Sequence, residues 1–452
     1  MNSLPMPPSM GLLGHVKALK KTNVHQQMLQ WIKEYGTSFN LRLGAKKVLV
    51  ISDAKDVKQA LKSRPDVFRR LKNIESVFEE AGVNGVFSAE GERWKKNRLL
   101  TDPAFQPRHL RSFLPALKKH SIRLENRFSL LAKNQEKVDL LQEFKRFTLD
   151  VTIELAFGTD VNSIEKGESD LEKAIRVIFP MINKRITSPI PLWRFVPTAK
   201  DKEFDASLAY VRKEVSSFIE VQKARMADNP ALFEVPENIL QAMLAAKQSE
   251  AHLSDDDIFA NAITLLLAGE DTTANTLAWM SFLLTEKPQW QQTLCDEMGA
   301  ELETLEWPLP KAPALTAVMY ETMRLKPVAP QLYLEAIVDT KIGDHNIAKG
   351  TPVFVMLHAN GHNEELFKAP EEFSPERWLD EGGASFSHLQ PFGGGVRLCP
   401  GRALAMLEIK LAMTALLKQF EVEPLQPSSE VIEEFAFTLS PKGFYCQLKA
   451  KS

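Results

Sequence analysis

The sequence has 452 residues, of which 44% are hydrophobic and 25% are charged, a composition ordinary for a globular protein. Lysine and arginine number 56 against 58 aspartates and glutamates, and this net charge of −2 gives no electrostatic reason to expect nucleic-acid binding. Three cysteines exclude a disulfide framework. The N-terminus has neither a basic segment nor a long apolar run, so we expect a cytoplasmic protein without a signal peptide or membrane anchor.

Apolar periodicity predicts a mainly helical chain with a few short strands. No linker or repeat divides the chain, and a single domain over residues 1–452 is expected. Several glycines between residues 73 and 91 predict a loop there. The predicted helices are residues 24–35, 54–63, 108–157, 169–226, 254–285, 314–324 and 402–417. The predicted strands are residues 39–43, 48–50, 332–338, 351–355, 435–439 and 443–448, the last two paired in a hairpin that turns at residues 441–442.

The longest predicted helix begins at Ser254, whose side chain can cap it together with Asp257, and it ends before Pro288. Its middle, residues 268–273 (Ala-Gly-Glu-Asp-Thr-Thr), disfavours a helix, because glycine, aspartate and threonine each cost about 0.5–1 kcal/mol relative to alanine. A kinked core helix with a buried acid would explain this run. Local rules fail most often, however, where a function requires the residues.

Two shorter helical segments carry spaced pairs of polar residues. Trp94 and Arg98 are four residues apart, and Glu321 and Arg324 are three apart, so each pair shares one helix face. Taken alone, the first pair is also explained by a solvated basic helix that packs one aromatic ring inward. The second could be a surface ion pair worth about 0–1 kcal/mol.

The most informative stretch is residues 392–401, Phe-Gly-Gly-Gly-Val-Arg-Leu-Cys-Pro-Gly. Its glycines allow a tight loop, and Pro400 and Gly401 suit the start of the apolar helix that follows. Cys399 would then lie at the positive end of this helix, where the dipole and the unpaired N–H groups favour a thiolate. A structural cysteine before a core helix is the alternative, since free cysteines are usually buried.

These ten residues match F-x-x-G-x-R-x-C-x-G, and the loop resembles the haem-binding loop of the cytochrome P450 superfamily. Three further motifs of that family precede it in family order: W-x-x-x-R, [A/G]-G-x-[D/E]-T-T and E-x-x-R. The resemblance implies a soluble, bacterial-type member. It implies a mainly α fold, a single triangular cytochrome P450 domain with small peripheral β-sheets, and haem b between the long helix and the cysteine loop.

The resemblance also implies roles for individual residues. Cys399 would be the axial ligand of the haem iron, while indole and guanidinium N–H groups would bind the haem propionates. Glu335 departs from the family pattern, because many members carry a propionate-binding arginine there. The implied cofactor-binding residues are Trp94, Arg98, Arg397, Phe392, Gly395, Gly401, Ala268 and, by loose spacing only, Arg69.

Two further groups follow from the same resemblance. Asp271 and Thr272 would deliver protons during oxygen activation, a reaction that also needs bulk water to be excluded. Glu321, Arg324 and Arg377 would form a buried structural lock behind the cysteine loop.

The implied activity is insertion of one oxygen atom of O2 into an apolar small molecule. No reductase sequence follows residue 452, so electrons are expected from a separate ferredoxin or flavodoxin with an NAD(P)H reductase, and the protein is expected to be a monomer. A basic region could dock such an acidic partner, although charged runs are usually solvated faces. Its residues are Arg93, Lys95, Lys96, Arg108, Arg111, Lys118 and Lys119.

The sequence leaves the substrate open, since fatty acids, terpenoids and steroids suit an apolar cavity about equally. The candidate lining residues are Phe87, Phe179, Leu265, Ala268, Val328 and Phe437. Two other classes of protein are considered. One is a haem-thiolate peroxygenase, lyase or isomerase that does not use O2 and external electrons, and the other is a non-catalytic haem sensor or carrier. The intact Asp271–Thr272 pair argues against both.

Overall fold

The computed structural model describes residues 4–9, 11–19, 21, 23–188, 190–249, 253–301, 311–379 and 385–451. Helices make up most of this chain and the strands are short, so the predicted mainly α fold with small sheets is confirmed. Over these ranges, no helix combines the length and the apolar character needed to cross a membrane.

The elements are numbered in chain order. The helices are α1 (Val16–Leu19), α2 (Val24–Tyr35), α3 (Ala54–Lys62), α4 (Lys72–Glu80), α5 (Gly91–Thr101), α6 (Pro107–Ser112), α7 (Leu114–Lys133), α8 (Leu140–Phe157), α9 (Ser163–Lys166), α10 (Asp170–Thr187), α11 (Ala199–Asp228), α12 (Ile239–Ser249), α13 (Asp255–Glu286), α14 (Pro288–Glu301), α15 (Pro313–Leu325) and α16 (Arg402–Leu417). The strands are β1 (Ser38–Leu43), β2 (Lys46–Ile51), β3 (Phe68–Arg70), β4 (Gln331–Ala336), β5 (Thr340–Ile342), β6 (His345–Ile347), β7 (Pro352–Met356), β8 (Phe420–Pro424), β9 (Ile432–Phe435), β10 (Leu439–Lys442) and β11 (Cys446–Ala450).

The chain forms two compact units. Unit 1 comprises the chain up to Ser76, Ala317–Cys399 and Glu433–Ser440. Unit 2 comprises Val77–Thr316, Pro400–Ile432 and the chain from Pro441 onward. The cysteine loop and the Glu321 motif therefore belong to unit 1, and the long helix belongs to unit 2.

Unit 1 is built on a five-stranded sheet with the order β1-β2-β7-β4-β3. β2 and β7 run parallel, and the other neighbours are antiparallel. The residues of β7 alternate between two apolar clusters: Val353 and Val355 pack on one face, Phe354 and Met356 on the other. All five residues of this central strand are buried, as expected for a strand that is covered on both faces.

Unit 2 is organised around α13, most of whose side chains are buried. Ser254 caps it and forms the predicted capping box with Asp257. α13 packs closely against α8, and Gly269 permits this approach. A Cβ atom at Gly269 would lie only 2.4 Å from the hydroxyl oxygen of Thr152 on α8, and two atoms this close would clash. The glycine that disfavours the helix locally is thus required by its packing.

The prediction of a loop over residues 73–91 is wrong in its first half, which forms α4. Ile74, Val77 and Phe78 are buried on one face of this helix, at the spacing of an amphipathic helix. Gly82, with φ of +63°, follows the helix and turns the chain. The prediction gave the glycines too much weight, because they terminate the helix and do not lie within it.

The predicted pairing of the last two strands is also wrong. β10 pairs with β9, so the hairpin turns at residues 436–438, and β11 pairs antiparallel with β8. Gly443, with φ of +84°, redirects the chain between β10 and β11. Alternation of apolar residues could not distinguish the two pairings, because it is the same whichever strand lies alongside.

Candidate functional site

The cysteine loop is held by short-range backbone hydrogen bonds. The amide of Cys399 donates to the carbonyl of Phe392 over 3.0 Å, and the amide of Leu398 donates to the carbonyl of Gly395 over 3.1 Å. Gly401 then serves as the N-cap residue of α16, as the sequence predicts. The Cys399 side chain is exposed, which is unusual for a free cysteine and contradicts the interpretation as a buried structural residue.

Glycine is required at position 395. Its φ of +63° lies in the left-handed region, which other residues rarely adopt. A Cβ atom there would lie 2.6 Å from the carbonyl oxygen of Leu61 at the end of α3. The loop therefore rests directly on the backbone of α3, and this close contact fixes the turn that precedes Cys399.

On α13, one stripe of the helix is not covered by protein. Leu265 and Thr272 are half-buried and Ala268 is exposed, whereas most of the other residues between Ile258 and Leu284 are buried. These three positions have the i, i+3, i+7 spacing of a single helix face. The Thr272 hydroxyl donates to the carbonyl of Ala268 over 3.1 Å, a bond to the preceding turn that threonines in helices can form.

Asp271 forms an ion pair that sequence reasoning missed. Its Oδ1 lies 2.7 Å from Nζ of Lys145 on α8, and the two side chains are only 14% and 19% exposed. Burial alone would lower the pKa of Lys145, but the attraction of Asp271 and Glu270 outweighs it and raises that pKa. Lys145 therefore stays protonated. It precedes Asp271 by more than a hundred residues, and no local pattern marks it.

Glu270 is the neighbouring acid and is fully buried. Its burial raises the pKa to about 7, since desolvation and the nearby carboxylates of Asp271 and Glu172 outweigh the attraction of Lys145 and Arg176. A group with this pKa changes protonation near neutral pH. In the sequence, Glu270 occupies the variable position of the motif and is predicted only as a neighbour of the proton relay, although an acid in the middle of a core helix is itself a signal.

A second buried acid lies on α16. Burial raises the pKa of Glu408 to about 8, partly offset by a hydrogen bond with the side chain of Thr273 on α13. Glu408 is thus predominantly protonated at neutral pH and links α16 to the segment that contains Asp271 and Thr272. The sequence analysis did not single it out, although it is an isolated acid in an apolar helix.

The predicted propionate-binding residues are placed as follows. Trp94 is buried on α5, and Arg98 on the same helix is ion-paired with Asp102 at 2.5 Å. Arg69 lies opposite Glu335 in the β3–β4 pairing, with 3.5 Å between its Nε and Glu335 Oε1. It also pairs with Glu75. Glu335, the residue that departs from the family pattern, therefore shares the charge of Arg69 with Glu75.

Glu321, Arg324 and Arg377 are brought together in unit 1. Both Glu321 oxygens accept hydrogen bonds from Arg324 over 2.8 Å, and Nε of Arg377 donates to Oε1 over 3.1 Å. The indole N–H of Trp378 and the amide of Ser374 complete the set, each at 2.8 Å. Glu321 and Arg324 have no solvent exposure. Because both carboxylate oxygens of Glu321 accept hydrogen bonds from several donors, the buried Glu321–Arg324 ion pair has the geometry that can offset the cost of its desolvation.

The candidate substrate residues share one property. They are apolar and incompletely buried, unlike the core residues around them. In unit 1, the amide of Leu439 donates to the carbonyl of Val328 over 3.0 Å, which places the segment of Val328 beside the hairpin that carries Phe437. In unit 2, the ring of Phe87 packs on Phe78 at 5.6 Å between centroids.

One group of metal-ligand types lies elsewhere in the described part of the chain. Ligand atoms of His120, Glu154 and Asp160 lie within 4.8 Å of one another. Lys119 contacts both acids, and Arg123 forms two hydrogen bonds with Asp160. Hydrogen bonds from these cations hold the pKa of Asp160 well below its usual range. The group is therefore an ion-pair cluster with two resident cations.

The residues present fit a haem. In unit 1, an exposed thiol stands in a glycine-shaped loop and offers the sulfur donor that haem iron accepts. In unit 2, α13 leaves an apolar, small-residue stripe uncovered next to an ion-paired acid and a threonine hydroxyl. Such a stripe can lie against a flat apolar macrocycle.

Comparison with known proteins identifies the class. A sequence model of the cytochrome P450 family matches residues 4–448, and the chain belongs to this family. It is accordingly a cytochrome P450 monooxygenase that binds haem b.

Among its relatives, the chain is similar to cytochrome P450 27C1 of Danio rerio, with 30% identity over 433 residues, 91% of this chain and 79% of that protein. It is similar to cytochrome P450 27C1 of Aquarana catesbeiana, with 27% identity over 449 residues, 93% of this chain and 82% of that protein. It is also similar to the steroid 17-alpha-hydroxylase/17,20 lyase of Ictalurus punctatus, with 26% identity over 471 residues, 98% of this chain and 89% of that protein. These relatives are animal proteins, so the comparisons do not support the expected bacterial type.

Proposed function

We propose that Cys399 supplies the axial thiolate of haem b and that the substrate is an apolar small molecule of the fatty-acid, terpenoid or steroid class. The main support is the uncovered stripe formed by Leu265 and Ala268 on the otherwise buried α13. Phe87 and Phe179, also in unit 2, are likewise incompletely buried. The name of the Ictalurus punctatus relative indicates a steroid substrate for that protein, which is compatible with one of the three classes.

The haem supplies oxygen binding and activation, and the protein supplies protons, orientation and exclusion of water. We assign proton delivery to Asp271 and Thr272. Lys145 holds the Asp271 carboxylate at 2.7 Å and so fixes the position from which a proton is delivered. Glu270, with a pKa of about 7, is a second group that can bind and release a proton at neutral pH.

Replacing Lys145 by methionine is expected to lower the yield of product per NAD(P)H about tenfold, because Asp271 loses its partner. Loss of the lysine charge also removes an attraction that lowers the pKa of Glu270, so this acid should stay protonated to a pH above 7. The measurement is product formed and NAD(P)H consumed as a function of pH. Lys173→Met, which removes a lysine from an exposed ion pair, is the matched control.

The raised pKa of Glu270 can also be tested without an activity assay, by measuring the stability of the wild-type protein as a function of pH. The pKa of Glu270 is higher in the folded protein, at about 7, than its ordinary value of 4.5. The folded state therefore binds more protons between these values, and this group's contribution to stability falls as the pH rises from 4.5 to 7. Glu270→Gln should remove that part of the slope. An unchanged slope would contradict the assignment.

The substrate class is tested by optical titration of the ferric protein with fatty acids, terpenoids and steroids. A saturable low-spin to high-spin shift of the Soret band with one class identifies the molecules that displace the water on the haem iron. A protein that retains the thiolate-type carbon monoxide spectrum but responds to none of the three classes would contradict an apolar substrate.

We further propose that electrons come from a separate acidic ferredoxin or flavodoxin with an NAD(P)H reductase. Lys95 is exposed on α5, where it pairs with the exposed Glu92, and Lys96 is partly exposed, whereas Lys119 is less exposed and is engaged by two acids. The side chain of Arg108, another residue of the predicted basic region, lies outside the described part of the chain. The predicted cytoplasmic location and monomeric state stay predictions.

Reversing the charge of Lys95 and Lys96 to glutamate is expected to raise the KM for the redox partner about tenfold, since complementary charge mainly accelerates association. The shift in the Soret band on substrate binding should not change. Lys173→Glu on α10 provides a matched reversal of an exposed lysine. If only the control variant alters the KM, the partner binds elsewhere.

A further inference from the structure

Glu433 lies on β9, at the base of the β9–β10 hairpin, and gathers three donors. Its Oε2 accepts from Nε2 of His25 over 2.7 Å and from Nε2 of Gln26 over 2.8 Å. Its Oε1 is ion-paired with Lys326, which follows the end of α15. His25 is 3% exposed, Glu433 18% and Lys326 21%. One carboxylate thus joins α2, the segment after α15 and the hairpin.

The same hairpin is attached to the same segment at a second point. Two residues beyond Lys326, the carbonyl of Val328 accepts the hydrogen bond from the amide of Leu439. The hairpin turn at residues 436–438, which includes Phe437, lies between the two attachments in the sequence. Val328 and Phe437 are apolar and only partly buried. The two attachments therefore lie on either side of Phe437 in the hairpin, and Val328 itself provides one of them.

A buried histidine that follows β7, His358, links α2 to the segment after α15. The Nδ1 atom of His358 lies 2.9 Å from the carbonyl oxygen of Pro330, and its Nε2 lies 3.1 Å from the carbonyl oxygen of His25. Burial lowers the pKa of His358 to about 3, so the ring is neutral and donates to one of the two carbonyls. The ring of Phe435 packs edge-on against His25, with 6.0 Å between centroids.

We propose that Glu433 is a positioning residue of the substrate site, which fixes the hairpin carrying Phe437 relative to Val328 and so determines which position of the substrate is oxidised. This inference rests on the proposed assignment of Val328 and Phe437 to that site. Glu433 acts through these two residues and touches neither substrate nor cofactor itself.

The tether is in place at neutral pH. Burial opposes ionisation of Glu433, but hydrogen bonds from His25 and the attraction of Lys326 outweigh it and hold the pKa of this carboxyl well below its usual range. Its contribution to stability is therefore fully present above the ordinary pKa of 4.5 and is lost progressively as the pH falls below that value. A glutamine at this position keeps the shape but loses the ion pair.

The test compares Glu433→Gln with Glu423→Gln. Glu423 is also a carboxylate on a strand that is ion-paired with a lysine, Lys449, but it lies on β8 and is more exposed. Hydrogen exchange of the backbone amides over residues 436–440 is measured first. Faster exchange in Glu433→Gln, above all at the amide of Leu439, is expected, with no change in the control. Unchanged exchange would overturn the proposal.

The second measurement is substrate binding and product distribution, with a substrate found by optical titration. Glu433→Gln is expected to weaken binding about fivefold, because the site is less preorganised, and to change the ratio of oxidised positions. Lys326→Met, which leaves the contacts of His25 and Gln26 intact, should have a smaller effect in the same direction. The carbon monoxide spectrum should be that of the wild type in both variants.

Two outcomes separate this inference from the proposed function. If Phe437→Ala changes binding while Glu433→Gln changes only hydrogen exchange, the positioning role is wrong and the substrate site stands. If neither Phe437→Ala nor Val328→Ala alters binding or product distribution, the assignment of these residues to the substrate site fails, and the inference about Glu433 fails with it.

Discussion

Serine in place of Cys399 is expected to abolish the thiolate-type carbon monoxide spectrum and to reduce monooxygenase turnover to background. A serine hydroxyl stays protonated at neutral pH, whereas the cysteine can donate a thiolate, and thiolate donation favours cleavage of the O–O bond. The exposed side chain at this position leaves room for a ligand bond. The measurement is the reduced carbon monoxide difference spectrum, followed by a turnover assay.

Cys295→Ser is the matched control for this substitution. Cys295 is half-buried on α14, and its Sγ lies 3.6 Å from the carbonyl oxygen of Lys418. The same chemical change there should leave the spectrum intact. If Cys399→Ser retained the spectrum, another residue would be the ligand, and the assignment of the cysteine loop would be wrong.

Truncation of Glu321 to alanine is expected to lower the free energy of unfolding by about 3–5 kcal/mol, because it leaves the fully buried guanidinium of Arg324 and the mostly buried one of Arg377 without their carboxylate. The size of the effect follows from the geometry. Both Glu321 and Arg324 are fully buried, and Arg377 and Trp378 also donate to the lost carboxylate. The measurement is denaturant unfolding, with the haem content of the folded protein as a second readout.

Asp170→Ala provides the comparison for this experiment. Asp170 and Lys173 form an ion pair with the same i, i+3 spacing on a helix, but their side chains are 75% and 57% exposed. Removing it should cost only about 0–1 kcal/mol. Equal effects at the two sites would show that the Glu321 group is not the structural lock that we propose.

Local patterns predicted much of the fold. Ser254 and Asp257 cap α13 as their spacing indicates, and α16 occupies residues 402–417 as predicted. Both results depend on residues that are close in sequence. The same is true of the cysteine loop, where Gly395 and the bond from Cys399 to Phe392 lie within eight residues.

Features that depend on packing between distant segments could not be predicted. Lys145 reaches Asp271 because α8 packs on α13, and this approach depends on Gly269 lying against Thr152. Neither contact leaves a periodic signal in the sequence. The pKa of Glu270 is a further example, since it arises from burial and from charges on other helices.

The prediction of unbroken helices over residues 108–157 and 169–226 overlooked the breaks that separate α6, α7 and α8 and that separate α10 from α11. Two other errors have different physical origins. The glycines after residue 80 were taken to prevent a helix over residues 73–91. They lie beyond the end of α4, and Gly82 turns the chain after it. In the C-terminal strands, both the extents and the pairing were wrong. Residues 436–438, predicted within a strand, form a turn, residues 441–442, predicted as the turn, lie in β10, and β11 pairs with β8. The pairing of β9 with β10 makes residues 436–438 the turn of the hairpin, which is the basis of the inference about Glu433.

The most direct test of the central claim is a turnover under ¹⁸O2 with a substrate that shifts the Soret band. A monooxygenase transfers one atom of O2 to the product and reduces the other to water. If the protein is a monooxygenase with a separate redox partner, we expect one ¹⁸O atom in each product molecule, with electrons supplied by NAD(P)H through that partner. Product formed without ¹⁸O, or formed only when peroxide is added, would contradict it and would favour a peroxygenase, lyase or isomerase.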